Sequence, residues 1–141
     1  MQPVFWGETN AGLQLSLSVD PAKIQRSGKL TLHMKARNHT NTNLHFDASV
    51  PWVNESQIIV LCPDGRRIVR NIWVDERRRL VIALGESDLG KFNSDTLLDV
   101  SEYNPKKQGD TKYDSKRLQG VHKITWKLKN AVSNTAEVRV E

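Results

Sequence analysis

An all-β fold of antiparallel strands is predicted from three observations on the amino-acid sequence. Apolar and polar residues alternate with a period of two in several separate stretches, clusters of glycine, proline and asparagine fall between them, and no stretch is assigned as a helix. A parallel sheet would need helical crossovers, so the strands are expected to pair antiparallel.

The alternation is clearest near the C-terminal end. After Gly120, residues His122, Ile124, Trp126 and Leu128 share one face, while Val121, Lys123, Thr125, Lys127 and Lys129 share the other. Ala131 to Thr135 turns the chain, and Ala136, Val138 and Val140 then alternate with Glu137, Arg139 and Glu141. An antiparallel hairpin is expected there.

From the N-terminus, Phe5 and Trp6 form an aromatic pair expected to cover one end of the core. Leu13, Leu15, Leu17 and Val19 mark the first strand, which Asp20-Pro21 stops because proline offers no amide hydrogen to a ladder. Ser27-Gly28 turns into a second strand with Leu30, Leu32, Met34 and Ala36 inward. The Asn- and Thr-rich segment 38–43 is a turn, since such side chains bond their own backbone. Leu44, Phe46 and Ala48 mark a third strand. The turn Cys62-Pro63-Asp64-Gly65 joins Gln57–Leu61 to Arg67–Val74 as a hairpin, because proline presets one dihedral and glycine accepts a positive one. Leu80, Ile82 and Leu84 form a further strand ended by Gly85. Over 86–117 the pattern weakens. Apart from a short strand at Leu97, Leu98 and Val100, this segment reads as irregular, a long loop or insertion, and 101–117 as mobile.

Seven to nine strands, with turn signals about every 8–12 residues, give the expectation of an immunoglobulin-like antiparallel β-sandwich. It is expected to form a single domain over residues 1–141. The expected core is Leu15, Leu17, Leu32, Met34, Leu44, Phe46, Ile59, Leu61, Ile82, Ile124, Trp126 and Val138. One of Trp52 and Trp73 is expected to be the buried inter-sheet tryptophan of such folds.

Composition narrows the function classes. A hydrophobic fraction of 38% is too high for a disordered chain, yet no run approaches the ~20 apolar residues of a membrane helix. No membrane span is expected. The one cysteine, Cys62, permits no intrachain disulfide, so packing alone must hold the fold. The net charge of +5 falls within the range that solubility favours, and it permits an acidic partner without requiring one. Residues 1–6 lack the basic start and apolar core of a signal peptide.

Trp6-Gly7-Glu8, Gly12-Leu13-Gln14, Gly28-Lys29-Leu30 and the Asn38-rich turn resemble the start of bacterial extracytoplasmic immunoglobulin-like accessory modules. Leu118 to Ile124, Ser133-Asn134 and Val138-Arg139-Val140 resemble the end of the same kind of module. His122 stands where members of that group often carry a tyrosine, and 86–117 is poorly covered. The resemblance implies a non-catalytic binding, spacing or assembly unit with an extracytoplasmic or secreted location, a cytoplasmic one staying open.

No catalytic residue, metal ligand or cofactor is assigned. Cys62 lies on a turn shoulder, not at a helix start, and no spacing places His33, His39, His45 or His122 beside it. A zinc finger would need paired cysteines besides its histidines. Asp88, Asp95, Asp99 and Glu102 lack the spacing of a calcium loop and read as solvated charges. Asn38 and Asn54 lie in sequons that matter only where asparagine is glycosylated.

Two features invite a ligand. Arg66, Arg67, Arg70, Arg77, Arg78 and Arg79 form a candidate basic edge, which could pair with oxyanions or simply discourage edge-to-edge pairing. Trp52 and Trp73 are candidate exposed aromatics for a partner surface. Nucleic acid is disfavoured, since Trp73 is the one aromatic close to the arginines. The expected function is a non-catalytic interaction or accessory module contacting another protein or a cell-surface component. The alternative is an anionic ligand, glycan or acidic protein, held by the arginine edge.

Overall fold

The computed structural model describes residues 4–50, 53–71, 79–103, 105–106, 109 and 113–141. These form fourteen strand segments and no helix, so the protein is all-β. In chain order they are β1 (Leu13–Asp20), β2 (Lys23–Ile24), β3 (Leu30–Asn38), β4 (Leu44–Val50), β5 (Val53–Asn54), β6 (Ser56–Leu61) and β7 (Arg67–Asn71). There follow β8 (Arg79–Ile82), β9 (Gly85–Ser94), β10 (Asp99–Tyr103), β11 (Tyr113–Arg117), β12 (Gly120–Leu128), β13 (Ala131–Val132) and β14 (Ala136–Val140). The number exceeds seven to nine because β2, β5 and β13 are two-residue pieces and because 86–117 contributes three strands.

One sheet has the order β1-β3-β9 and another the order β2-β14-β12-β6-β7, with β13 beside β12. Smaller sheets are β5-β4-β8 and β10-β11. All pairings are antiparallel except β14 with β2. The inward residues of β1, β3, β6, β8, β12 and β14 meet in one core cluster. The hairpin expected at 57–74 is present as far as it is described, to Asn71, and so is the one expected after Gly120, with Lys123 opposite both Leu61 and Glu137.

The expected inward face of β6 is corrected. In β6 the inward residues are Ser56, Ile58 and Val60, while Leu61 is 43% exposed and Ile59 half-buried. Four consecutive apolar residues, Ile58 to Leu61, carry no phase of their own. Polar anchoring sets it: Trp126 is wholly buried and its Nε1 donates to Ser56 Oγ at 3.0 Å. The expectation that one of Trp52 and Trp73 is buried falls on residues outside the described ones.

Segment 86–117 is not irregular throughout. β9 runs ten residues beside β3, and its register shifts between His33 and Lys35. Gly90, at φ 92°, sits in that bulge, where the Asp88 carboxylate accepts its amide at 2.8 Å. A bulge resets which residues face inward, and that hides a strand from a period-of-two reading. β10 and β11 pair from Asp99↔Arg117 to Tyr103↔Tyr113, and most of the link between them lies outside the described residues. At the N-terminus Phe5 is 62% exposed instead of covering the core. Trp6 is half-buried under the Arg37 guanidinium, 3.9 Å from the ring centroid.

The edge of β1 is closed by side chain and loop. Asn134 accepts from Leu17 N and donates to Leu17 O, both at 2.9 Å, and Gly7 N donates to Leu15 O at 2.9 Å. A Cβ on Gly7 would collide with the Val132 carbonyl, so only glycine fits this approach.

Ser56→Ala should cost about 1–3 kcal/mol in urea unfolding, because it strands a buried indole N–H. Ser18→Ala, at a half-buried position, should stay within about 0.5 kcal/mol.

Candidate docking face

Strand parity separates the arginines of the 57–71 hairpin. Arg67 lies opposite Leu61 and faces outward with it. Arg70, three positions on, points the other way: its Nε donates to Leu97 O at 3.1 Å and its Nη2 to Asp99 O at 2.6 Å. Arg66 pairs with Asp64, 2.8 Å from Nε to Oδ2. A groove of about 450 Å3 lies between Arg66, Arg67, Arg70 and Asp99–Ser101. Arg77 and Arg78 fall outside the described residues, and Arg79 is described only as the first residue of β8. Of the six arginines, Arg66, Arg67 and Arg70 thus border one groove, each with different neighbours.

The groups able to do chemistry are occupied inside. Cys62 is 3% exposed, and burial followed by the Asp64 charge pushes its thiol up, away from the reactive thiolate. His122 is 0% exposed; its Nδ1 lies 3.3 Å from Gly120 O, and its Nε2 has no hydrogen-bond partner among the described residues. Burial lowers its pKa most; the Gly120 carbonyl opposes this in part, the Arg117 charge lowers it further by a smaller amount, and Asp64 raises it least.

His33 instead lies 2.8 Å from both Asp88 carboxylate oxygens. The Gly90 amide first, and His33 second, hold Asp88 below the ordinary carboxylate range. His39 meets Gln14 at 3.2 Å, so these histidines have separate partners. Among the described residues no three metal-capable side chains gather. Asn38 is buried and donates to Thr42 O and Ile82 O, which removes it as a glycosylation site in the folded chain.

Sequence reasoning passed over Arg117. Its guanidinium is buried and donates to the carbonyls of Gln25, Gly28 and Asp95 and to the Asp99 carboxylate at 3.3 Å. The flanking Tyr113–Arg117 strand carries no aliphatic alternation that could have announced it.

One surface stands out. On the outward side of the long sheet, β7, β6 and β12 align Arg67–Leu61–Lys123, Val69–Ile59–Thr125 and Asn71–Gln57–Lys127, with Val132 beside Lys127. Leu61, Val69 and Val132 are 43%, 46% and 41% exposed. A depression of about 270 Å3 lies among Ile59, Leu61, Arg67, Lys123, Thr125 and Thr135. Arg67, Lys123 and Lys127 border the aliphatic stripe, and none is held in an ion pair among the described residues. Such a surface can desolvate an apolar centre within a charged rim.

No family model and no curated protein matches the chain. Solved structures do match in fold. The alkylpurine DNA glycosylase AlkC of Pseudomonas fluorescens, bound to DNA containing an abasic site analog, aligns over 94% of this chain at 11% identity and a TM-score of 0.61. A β-glucosidase from Listeria innocua in complex with gluconolactone aligns over 91% at 14% identity and a TM-score of 0.57. The chain spans 31% of the glycosylase chain and 16% of the glucosidase chain.

Because His122 is buried neutral, protonation opposes folding. Its folded pKa lies below the unfolded value of 6.5, so the unfolded state binds the proton first. Stability should fall as pH drops below about 6.5 and level off below the folded pKa. His122→Leu should flatten that dependence in urea titrations run from about pH 7.5 to 5. Arg117→Lys, which cannot reproduce the fork, should cost about 1.5–3 kcal/mol by the same method.

Proposed function

We propose that the chain is a non-catalytic, immunoglobulin-like β-sandwich module that works by protein–protein contact through the outer face of its long sheet. The observation that carries this reading is the row of aliphatics formed by exposed Leu61, Val69 and Val132 with half-buried Ile59 among them, on a face that water should favour as polar. The sandwich reading is supported by two sheets contributing to one core around the wholly buried Trp126. The accessory reading is supported by the alignments: nearly all of this chain corresponds to a fraction of much longer, unrelated proteins. Non-catalysis is supported by the chemistry-bearing side chains, since Cys62 and His122 are shut inside.

The arginine-edge alternative draws less support. Arg70 is spent on backbone carbonyls and Arg66 pairs with Asp64, which leaves Arg67 as a member of the sheet face.

Leu61→Asp and Val69→Asp place a carboxylate on the stripe without entering the core. Stability should change by less than about 1 kcal/mol, while retention of the protein in its native assembly on size-exclusion chromatography should be lost. Retention unchanged in both variants would refute the reading.

A further inference from the structure

We infer that the partner of this face is a protein surface with an aliphatic centre and a carboxylate border. This rests on the interaction-module reading. On the long sheet Lys23, Arg67, Lys123, Lys127 and Arg139 face outward against Glu137 and Glu141, an excess of three positive charges (five minus two). The carboxylates lie toward the β14 side, opposite Lys123 and beyond Arg139, so the stripe itself is bordered by cations.

That distribution selects among occupants. A second copy would press Arg67, Lys123 and Lys127 toward the same cations across the apolar stripe, and like charges brought together in an interface oppose binding. A lipid surface of anionic headgroups answers the charge. However, aliphatics standing on a pleated sheet present one flat level, and the described residues of this face include no aromatic of the kind that anchors proteins at the lipid boundary. A flat protein surface with leucine- or valine-type side chains ringed by aspartate and glutamate satisfies both the stripe and the border. The central strands β6 and β12 are each hydrogen-bonded on both sides, so the side chains are held in place before binding.

The test places a photoactivatable benzoyl-phenylalanine at Val69 in the full chain, irradiates the cells that make it, and identifies the captured peptide by mass spectrometry. The expected result is one captured protein whose peptide carries aspartate or glutamate beside aliphatic residues. Capture should fall about tenfold or more with Lys123→Glu/Lys127→Glu. Lys123→Gln/Lys127→Gln should give a smaller loss, with both variants folded by circular dichroism. Replacing the captured peptide's carboxylates by lysine should restore capture to the Lys123→Glu/Lys127→Glu variant.

Capture of a second copy, or of a peptide without carboxylates, overturns the proposal. So does binding to phosphatidylcholine–phosphatidylserine vesicles that the charge reversal abolishes. If Leu61→Asp ends capture and charge reversal does not, the acidic border falls while the module reading stands. If no capture occurs at position 69, both fall.

Discussion

The hydrogen bond from the Trp126 indole to Ser56 is the constraint on which the two sides of the long sheet depend. A fully buried indole N–H must find an acceptor, and Ser56 Oγ supplies it across the β6–β12 ladder. Ser133 adds to the same node: its hydroxyl accepts from Trp126 N, and its amide donates to Trp126 O. With Ser56 fixed inward, Ile58, Val60 and Cys62 follow it into the core and Ile59 and Leu61 turn to solvent. A shift of one residue would invert the strand. It would bury Ile59 and Leu61 and leave the indole without its acceptor. The internal bond and the exposed stripe are one choice seen from inside and outside.

A second constraint ties down the segment between β9 and β12. Burying a guanidinium costs several kcal/mol unless its donors are satisfied. Arg117 meets this with three backbone carbonyls from two separate loops and the carboxylate of Asp99. Arg70 does the same on a smaller scale at Leu97 and Asp99. These arginines hold the start of β10 and the end of β11 against the remainder of the fold. Leu97, Leu98 and Val100 supply the apolar contacts beneath them.

Legibility followed the physics of each stretch. β1, β3 and β12 alternate cleanly, so both their existence and their inward faces could be read from residue order. β6 could be located but not phased, because Ile58 to Leu61 offers two equivalent apolar faces and the deciding contact lies 70 residues away. β9 could not be seen: Ser87 and Ser94 occupy less exposed positions, and the bulge at Gly90 interrupts the count. Arg67 and Arg70, three positions apart on a period-of-two backbone, turn to opposite sides of the strand, so their spacing in sequence did not show which contacts each makes. The face proposed for docking became visible only when neighbours from β7, β6, β12 and β13 were set side by side.

A contact surface in the middle of a sheet differs physically from one on its margin. Edge strands offer free backbone groups and bind whatever can extend the ladder, which proteins commonly suppress with charge. A face built on β6 and β12 has its backbone already paired, so recognition must come from side chains alone. The two kinds of side chain then divide the work. In the proposed contact, rim cations such as Arg67, Lys123 and Lys127 would act over distances up to the Debye length, about 10 Å at 0.1 M salt, and chiefly raise the rate of encounter. In the same proposed contact Leu61 and Val69 would act only after water has left, and chiefly slow dissociation. Added salt should therefore weaken capture mainly through slower association, while loss of the stripe should shorten the lifetime of the complex once formed.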